Sequence, residues 1–432
     1  MNLNLEKNEN SAYYRLFFVI GMCIFSLSLS WSMLFTSLSV IILGAALVIK
    51  IEGNKPLVSI YSDWRFDFKK ILTDPIFLIL LFVFFTVFLS GFWSIDKKQW
   101  SWFSRMMLPF LIIPFALLRI GSVPKKWIHI FWLLCIACLF YTSLFIVKDY
   151  IFNGDKVNQI IMKGGAITTP ISHIRYSLIV ACVIIILLDW IVKKSVVKFE
   201  FEKWVYILLF LYFFGFIHLL SVKSGIVGLY LGLFLYFSAF LLYKNKFYLW
   251  IVMVILLIGT MYAAYELIPS FKSKIAYSLW QYSEWKKGKW LFYSDIERWV
   301  SIQIGWEIIT KYPLLGTGIG DLDQLVKETY YECLNHKDVK FPHNQFIFSW
   351  ASCGILGLLS ILGLVYLGFQ KKYWKFPLVL GLQGILLSSF LWEMTLQTQM
   401  GVCIYLYFTM TAYLFSQDVN LSLNFSSIES KA

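Results

Sequence analysis

The chain has 432 residues, of which 59% are hydrophobic, 19% aromatic and only 15% charged. That excludes an ordinary multidomain soluble protein, a disordered chain and a secreted disulfide scaffold, and leaves a polytopic membrane protein. The formal charge of +13 would point to nucleic acid in a soluble protein; here it reads first as positive residues in cytoplasmic loops, with no nucleic-acid partner.

The polar, partly acidic start from Asn2 to Asn10 does not resemble the basic head of a signal peptide. Apolar runs long enough to cross a bilayer as helices follow at about 14–30, 32–50, 75–94, 104–119, 127–147, 174–192, 204–220, 225–243, 247–266, 345–369, 376–392 and 400–415. Twelve spans put both termini on one side. The loops on that side hold about 17 positive residues, among them Arg65, Lys69, Lys70, Lys194 and Lys198, against about 8 in the short loops opposite. The bias places both termini in the cytoplasm. Trp31, Trp93, Trp127, Trp190, Trp204, Trp250 and Trp374 stand at span ends, as interfacial belts require.

The predicted fold is therefore all-α: a polytopic transmembrane bundle of about twelve spans with one long outer loop. Its parts are an N-terminal bundle (1–266), the loop (267–344), and three C-terminal spans with a cytoplasmic tail (345–432). A loop this long needs a role. It should carry short amphipathic helices lying on the bundle, as Ile296, Trp299, Ile302, Trp306 and Ile309 suggest by their helical spacing.

Six of seven cysteines lie in apolar runs, and Cys135-x-x-Cys138 reads as one buried helix face rather than a redox or zinc motif. His129 and His218 lie inside spans and read as packed; His336 has no second ligand at metal spacing.

Five polar segments can carry chemistry. Ser172-His173-Ile174-Arg175 opens a span, and Arg175 there either snorkels or faces a polar cavity. Ser221-Val222-Lys223-Ser224-Gly225 is a tight outer turn in which Lys223 is a cation at the membrane edge, with Ser224 and Gly225 small enough to admit a ligand. Arg298-Trp299 and then Gly316-Thr317-Gly318-Ile319-Gly320 follow in the long loop. The glycines allow positive φ and amides that face an anion; a plain turn fits equally well. Asp321-Leu322-Asp323 spells D-x-D, but in an outer loop it is no metal site. Pro342-His343-Asn344 stands where the loop re-enters the membrane, and a His there suits proton abstraction near neutral pH. Glu393 to Gly401 is a polar outer connection in which Glu393 and Gln397 are suited to bind sugars; an ordinary polar turn fits equally well.

The order Arg298-Trp299, Pro313-Leu314-Leu315-Gly316-Thr317-Gly318, His343-Asn344 and Gly354-Ile355-Leu356-Gly357 resembles the O-antigen ligase and polymerase superfamily of bacterial inner-membrane proteins, over about 215–405. The run from Glu393 to Gly401 is similar to Bacteroidetes-type members. The resemblance implies an undecaprenyl-pyrophosphate-linked glycan as donor, lipid A–core as acceptor, membrane lipids around the protein, a periplasmic active site, and neither metal nor cofactor. It implies His343 as base and Arg298 as the loop arginine, both catalytic. Lys223 stands where the family usually has arginine, which removes a bidentate fork for phosphate and makes Arg175 a substitute. Asn344, Ser224, Glu393 and Gln397 complete the expected substrate-binding set. The alternative is a repeat-unit polymerase with the same donor. A transporter or flippase predicts ionisable residues at span midplanes and related halves, of which few and none are seen.

Overall fold

The computed structural model describes residues 2–52, 55–58, 73–120, 123–193, 199, 201–288, 294–334 and 339–429. Arg65, Lys69, Lys70, Lys194, Lys198 and His336 lie outside the described residues.

The expected spans fall on helices, except that 104–119 is divided between two helices and 32–50 gives way to a strand at Ile49. In chain order the helices are α1 (Asn2–Ser28), α2 (Met33–Val48), α3 (Pro75–Leu89), α4 (Lys97–Met106), α5 (Pro109–Ile120), α6 (Lys125–Met162), α7 (His173–Lys193), α8 (Glu202–Leu220), α9 (Lys223–Tyr243) and α10 (Phe247–Leu267). They continue with α11 (Pro269–Lys286), α12 (Ser294–Lys311), α13 (Leu322–Leu334), α14 (Gln345–Gly368), α15 (Pro377–Trp392) and α16 (Gln399–Glu429). A short antiparallel hairpin, Ile49–Glu52 with Lys55–Val58, stands where a plain loop was expected. Among the described residues 8 helices are long and apolar enough to cross a membrane, with three shorter apolar ones at Tyr14–Ser28, Met33–Leu47 and Pro377–Trp392.

Helix α7 is the axis of the bundle. Its residues from Arg175 to Trp190 are all buried, so Leu178–Leu188 reads as a continuous apolar run rather than a stripe. Helix α10 is the opposite case. Ile251, Val252, Ile255, Leu256, Ile258 and Met261 are exposed, the pattern of a helix facing lipid along its outer side.

Two helices depart from expectation in length. The apolar run 127–147 is only part of α6, which continues through Lys148, Asp149 and Asp155 to Met162 and bends at Asn153, the one residue inside it with non-helical φ/ψ. At 1.5 Å per residue a helix of this length outreaches a hydrocarbon core of about 30 Å. The run 104–119 is broken, with α4 and α5 meeting at Met107–Leu108 just before Pro109.

The long loop holds α11, α12 and α13. Its second hydrophobic cluster joins Val300, Ile304, Ile308 and Ile309 of α12 with Leu322, Val326 and Tyr330 of α13, and shares Phe103 of α4 and Phe348 of α14. The stripe that packs is thus Val300, Ser301, Ile304, Ile308 and Ile309, whereas Trp299 and Trp306 are exposed. The expected helix is present; of the residues whose spacing indicates it, Ile309 is buried and Ile296 packs on the cluster, while the two tryptophans face out.

Candidate functional site

The site grows from the turn between α8 and α9. Helix α8 stops at Ser221, whose φ of 55° is left-handed, and Ser221 Oγ donates to the His218 carbonyl at 3.0 Å. Val222 is extended and offers α9 no side-chain cap. The amides of Lys223, Ser224 and Gly225 therefore begin a helix with no partner among the described residues. Such an end carries partial positive charge and unsatisfied donors. Ser224 is only 5% exposed, and its hydroxyl makes no hydrogen bond among the described residues. Gly225 serves packing rather than ligand approach: a Cβ there would collide with Ser177 of α7.

Helix α12 brings two charged groups to this turn. The Asp295 amide donates to Oε1 of the buried Gln281 on α11 at 3.1 Å, which fixes where the helix starts. The Asp295 carboxylate then pairs with Lys223. One turn on, Arg298 Nη2 lies 2.7 Å from Glu393 Oε1, and the Glu393 side chain is only 5% exposed. Burial pushes the Glu393 carboxyl above its usual range, while Arg298 and Arg175 pull it back.

His343 stands between α12 and α14. Its amide donates to Ser301 Oγ at 3.0 Å, and its Nδ1 lies 2.9 Å from the Phe341 carbonyl. A carbonyl can only accept, so Nδ1 carries the proton and Nε2 holds the free lone pair. Desolvation by burial, then the positive charge of Arg298, push the imidazole down to about 4. His343 is thus neutral at physiological pH, in the state a proton acceptor needs.

Two cavities meet here. The first, about 280 Å³, is the more polar of the two and is lined by Gly164, Gly165, His173, Ser221 and Lys274 beside Ile161, Ile174 and Leu220. The second, about 340 Å³, is mainly apolar and is lined by Val227, Trp299, Ile302, His343 and Trp392. Lys223, Ser224, Asp295 and Arg298 line both. One cluster of charge is therefore the wall between a cationic chamber and an aromatic chamber that holds the imidazole.

Of the residues expected at the site, His343, Arg298, Lys223 and Ser224 are brought together, with Glu393 behind Arg298. Three stand elsewhere and line neither cavity. Arg175 neither snorkels nor faces these cavities; it is buried, donates from Nη2 to the Met394 carbonyl at 2.9 Å, and supports the Glu393 connection electrostatically. Asn344 caps α14, its Oδ1 accepting from the amides of Phe346 and Ile347 while Nδ2 donates to the Leu391 carbonyl. Gln397 lies in the short 3₁₀ turn Thr395–Gln397, between α15 and α16.

The glycine run is a clip, not an anion cradle. Helix α14 breaks at Gly354, with φ 66° and ψ −155°. The break frees the carbonyls of Ala351 and Ser352, which accept from the amides of Thr317 and Gly318 at 2.9 Å each, and the Leu314 carbonyl accepts from Ile355. Gly320 and Ile319 donate to Ser94 and Ser90. Asp321 accepts from the amides of Ile95 and Asp96, and Asp323 pairs with Lys327. The D-x-D carboxylates thus anchor the turn after α3 and brace α13.

Sequence reasoning missed Asp295, Lys274 and His173. Only His173, next to Arg175 at a span start, carried any signal; an Asp or Lys in a polar loop has none.

These features define a multi-pass helical membrane protein with a charged, histidine-bearing site at one end of its bundle. Residues 207–362 match the family described as O-Antigen ligase. The matched stretch contains Lys223, Lys274, Asp295, Arg298 and His343. No curated protein matches the chain.

Proposed function

We propose that the protein transfers a glycan from undecaprenyl pyrophosphate to lipid A–core, on the periplasmic side of a bacterial inner membrane, with both termini cytoplasmic. The observation that carries this reading is His343: a neutral imidazole with Nε2 unprotonated, in a cavity whose wall holds Arg298 and Lys223. The family match over 207–362 supports a ligase- or polymerase-type role in O-antigen processing.

In the proposed step an acceptor hydroxyl attacks the donor's anomeric carbon. The new carbon–oxygen bond forms as the bond to the pyrophosphate oxygen breaks, and the acceptor proton passes to His343 Nε2. Charge develops on the leaving pyrophosphate, where Arg298 and Lys223 oppose it. General-base help of this kind contributes about 10²–10⁴-fold. An imidazole held near 4 by burial first, and by the charge of Arg298 second, is a weak base. A bound pyrophosphate offsets that charge and raises its basicity when it is needed. Trp299 and Trp392 in the same chamber offer flat faces to sugar rings.

The test is a chromosomal deletion complemented with wild type or His343→Ala, read on a surface-glycan gel with protein level checked. The reading predicts loss of long glycan on lipid A–core and accumulation of lipid-linked polymer in both the deletion and the variant. A ladder cut to single repeats would instead favour the polymerase. Full glycan with His343→Ala at normal level would overturn the base assignment.

A further inference from the structure

Helix α12 presents three adjacent faces. Val300, Ile304 and Ile308 pack into the second hydrophobic cluster. Arg298, Trp299 and Ile302 look into the cavities. Between these faces run Glu297, Ser301 and Gly305, spaced by four and so on one side of the helix. All three meet the segment that carries His343. Glu297 pairs with Lys340. Gly305 leaves room for Pro342 and Ile347, with which a Cβ there would collide. Ser301 holds His343 itself.

Ser301 is fully buried. Its hydroxyl donates to the Arg298 carbonyl at 2.7 Å. Its oxygen accepts from the His343 amide at 3.0 Å and lies 3.4 Å from His343 Nδ1. A serine hydroxyl has one proton to give and two lone pairs to offer. Here the proton is spent on the backbone of Arg298 and both lone pairs face His343. One oxygen therefore ties the imidazole to the helix turn that carries the arginine.

We propose that Ser301 is the positioning residue of the base: on a seat completed by Glu297 and Gly305 it holds His343 in the one tautomer and orientation that turn Nε2 to the cavity, resting on the glycosyl-transfer reading for the proton that Nε2 then takes. The Phe341 carbonyl alone gives the ring a single hydrogen bond to pivot about. Ser301 fixes the backbone at His343 and adds a second oxygen near Nδ1. When the acceptor hydroxyl passes its proton to Nε2, the ring becomes an imidazolium whose charge extends to Nδ1–H, and both oxygens face that charge. A misplacement of about 1 Å in such a group costs up to about 10²-fold in rate, so a buried partner that sets its place carries weight out of proportion to one hydrogen bond.

The full chain in nanodiscs, labelled with ¹⁵N-histidine, gives ring-nitrogen magnetic-resonance signals from its five histidines. His343→Ala identifies the signals of that ring. Wild type should show His343 in a single tautomer, protonated on Nδ1. Ser301→Ala should show the two tautomers mixed. In a transfer assay Ser301→Ala should lower kcat about 10-fold and leave KM for the lipid-linked donor within about twofold, since the variant disturbs the base and not binding. Glu297→Gln frees Lys340 but keeps the serine, and should act in the same direction by about 3-fold; it decides the matter if Ser301→Ala does not fold. An unchanged tautomer and kcat in the folded variants overturn the positioning role. So does a raised KM with kcat unchanged, because Ser301 would then serve binding through Arg298. If the tautomers mix as stated but wild type transfers no glycan, the positioning role stands and the transfer reading fails. If transfer depends on His343 while Ser301→Ala matches wild type in both measurements, only the positioning role fails.

Discussion

Two turns in this chain look alike in sequence and do opposite things. Ser221–Gly225, between α8 and α9, and Gly316–Gly320, in the long loop, are both short and rich in small residues. In the second, the amides from Gly316 to Asp321 are engaged by protein acceptors, on α14, on Ser90 and Ser94, or within the turn. In the first, three amides of an uncapped helix have no partner among the described residues, and Lys223 and Ser224 line both cavities. Glycine content says that a turn is possible. Where its N–H groups go decides whether it can hold an anion.

The comparison breaks first at Gly354. Its conformation is one that L side chains rarely adopt, and a Cβ there would collide with the Leu314 carbonyl. Gly354→Ala should cost at least about 3 kcal/mol, combining backbone strain with loss of the clip. A thermal melt in detergent should show a large drop, and an unchanged midpoint would mean that the clip does not hold the loop.

Next comes the open turn. Lys223→Ala should lower kcat/KM for the lipid-linked donor by about 10- to 100-fold, as expected for removal of one charge-assisted contact to the donor. Lys223→Arg should be tolerated, because a guanidinium also reaches the donor. Full activity in Lys223→Ala would remove the role given to that turn. The melt of Lys223→Ala should barely move, which separates it from Gly354→Ala.

The smallest effects fall on the D-x-D pair. Asp321→Ala leaves the amides of Ile95 and Asp96 without their acceptor and should cost about 1–2 kcal/mol. Asp323→Ala removes only an exposed pair with Lys327 and should cost about 0.5 kcal/mol or less. Equal effects in the two would argue that they act together, as metal ligands do.

The bundle was legible because twenty apolar residues in a row permit little else. The end of α6 was not, because Lys148, Asp149, Asn153 and Asp155 read as a loop although a helix outside the membrane tolerates them well. At the site, His343, Lys223 and Arg298 stood out as polar residues at membrane edges. Their partners did not. Asp295 and Lys274 become meaningful only when α11 and α12 fold back over the start of α9, a contact between residues about 50 to 70 positions apart. Asn344 illustrates a different miss. An Asn immediately before an apolar run is a helix cap by the ordinary rule, and a functional reading was preferred to it. The helical spacing of Ile296, Trp299, Ile302, Trp306 and Ile309 indicates the α12 helix but not its face: of these Ile309 is buried and Trp299 and Trp306 are exposed, while Val300, Ile304 and Ile308 fill the core.

The central claim is that His343 is a neutral base whose Nε2 faces the acceptor. The pH profile of kcat/KM for glycan transfer tests it most directly, since that ratio reports the free enzyme. The base form is populated above the folded value of about 4, so activity should hold from neutral pH down to about 5 and fall only as His343 gains its proton near 4. His343→Ala should lose most activity and, with it, that acid limb. An acid limb near 6.5, the ordinary histidine value, or an acid limb that survives unchanged in an active His343→Ala would contradict the account.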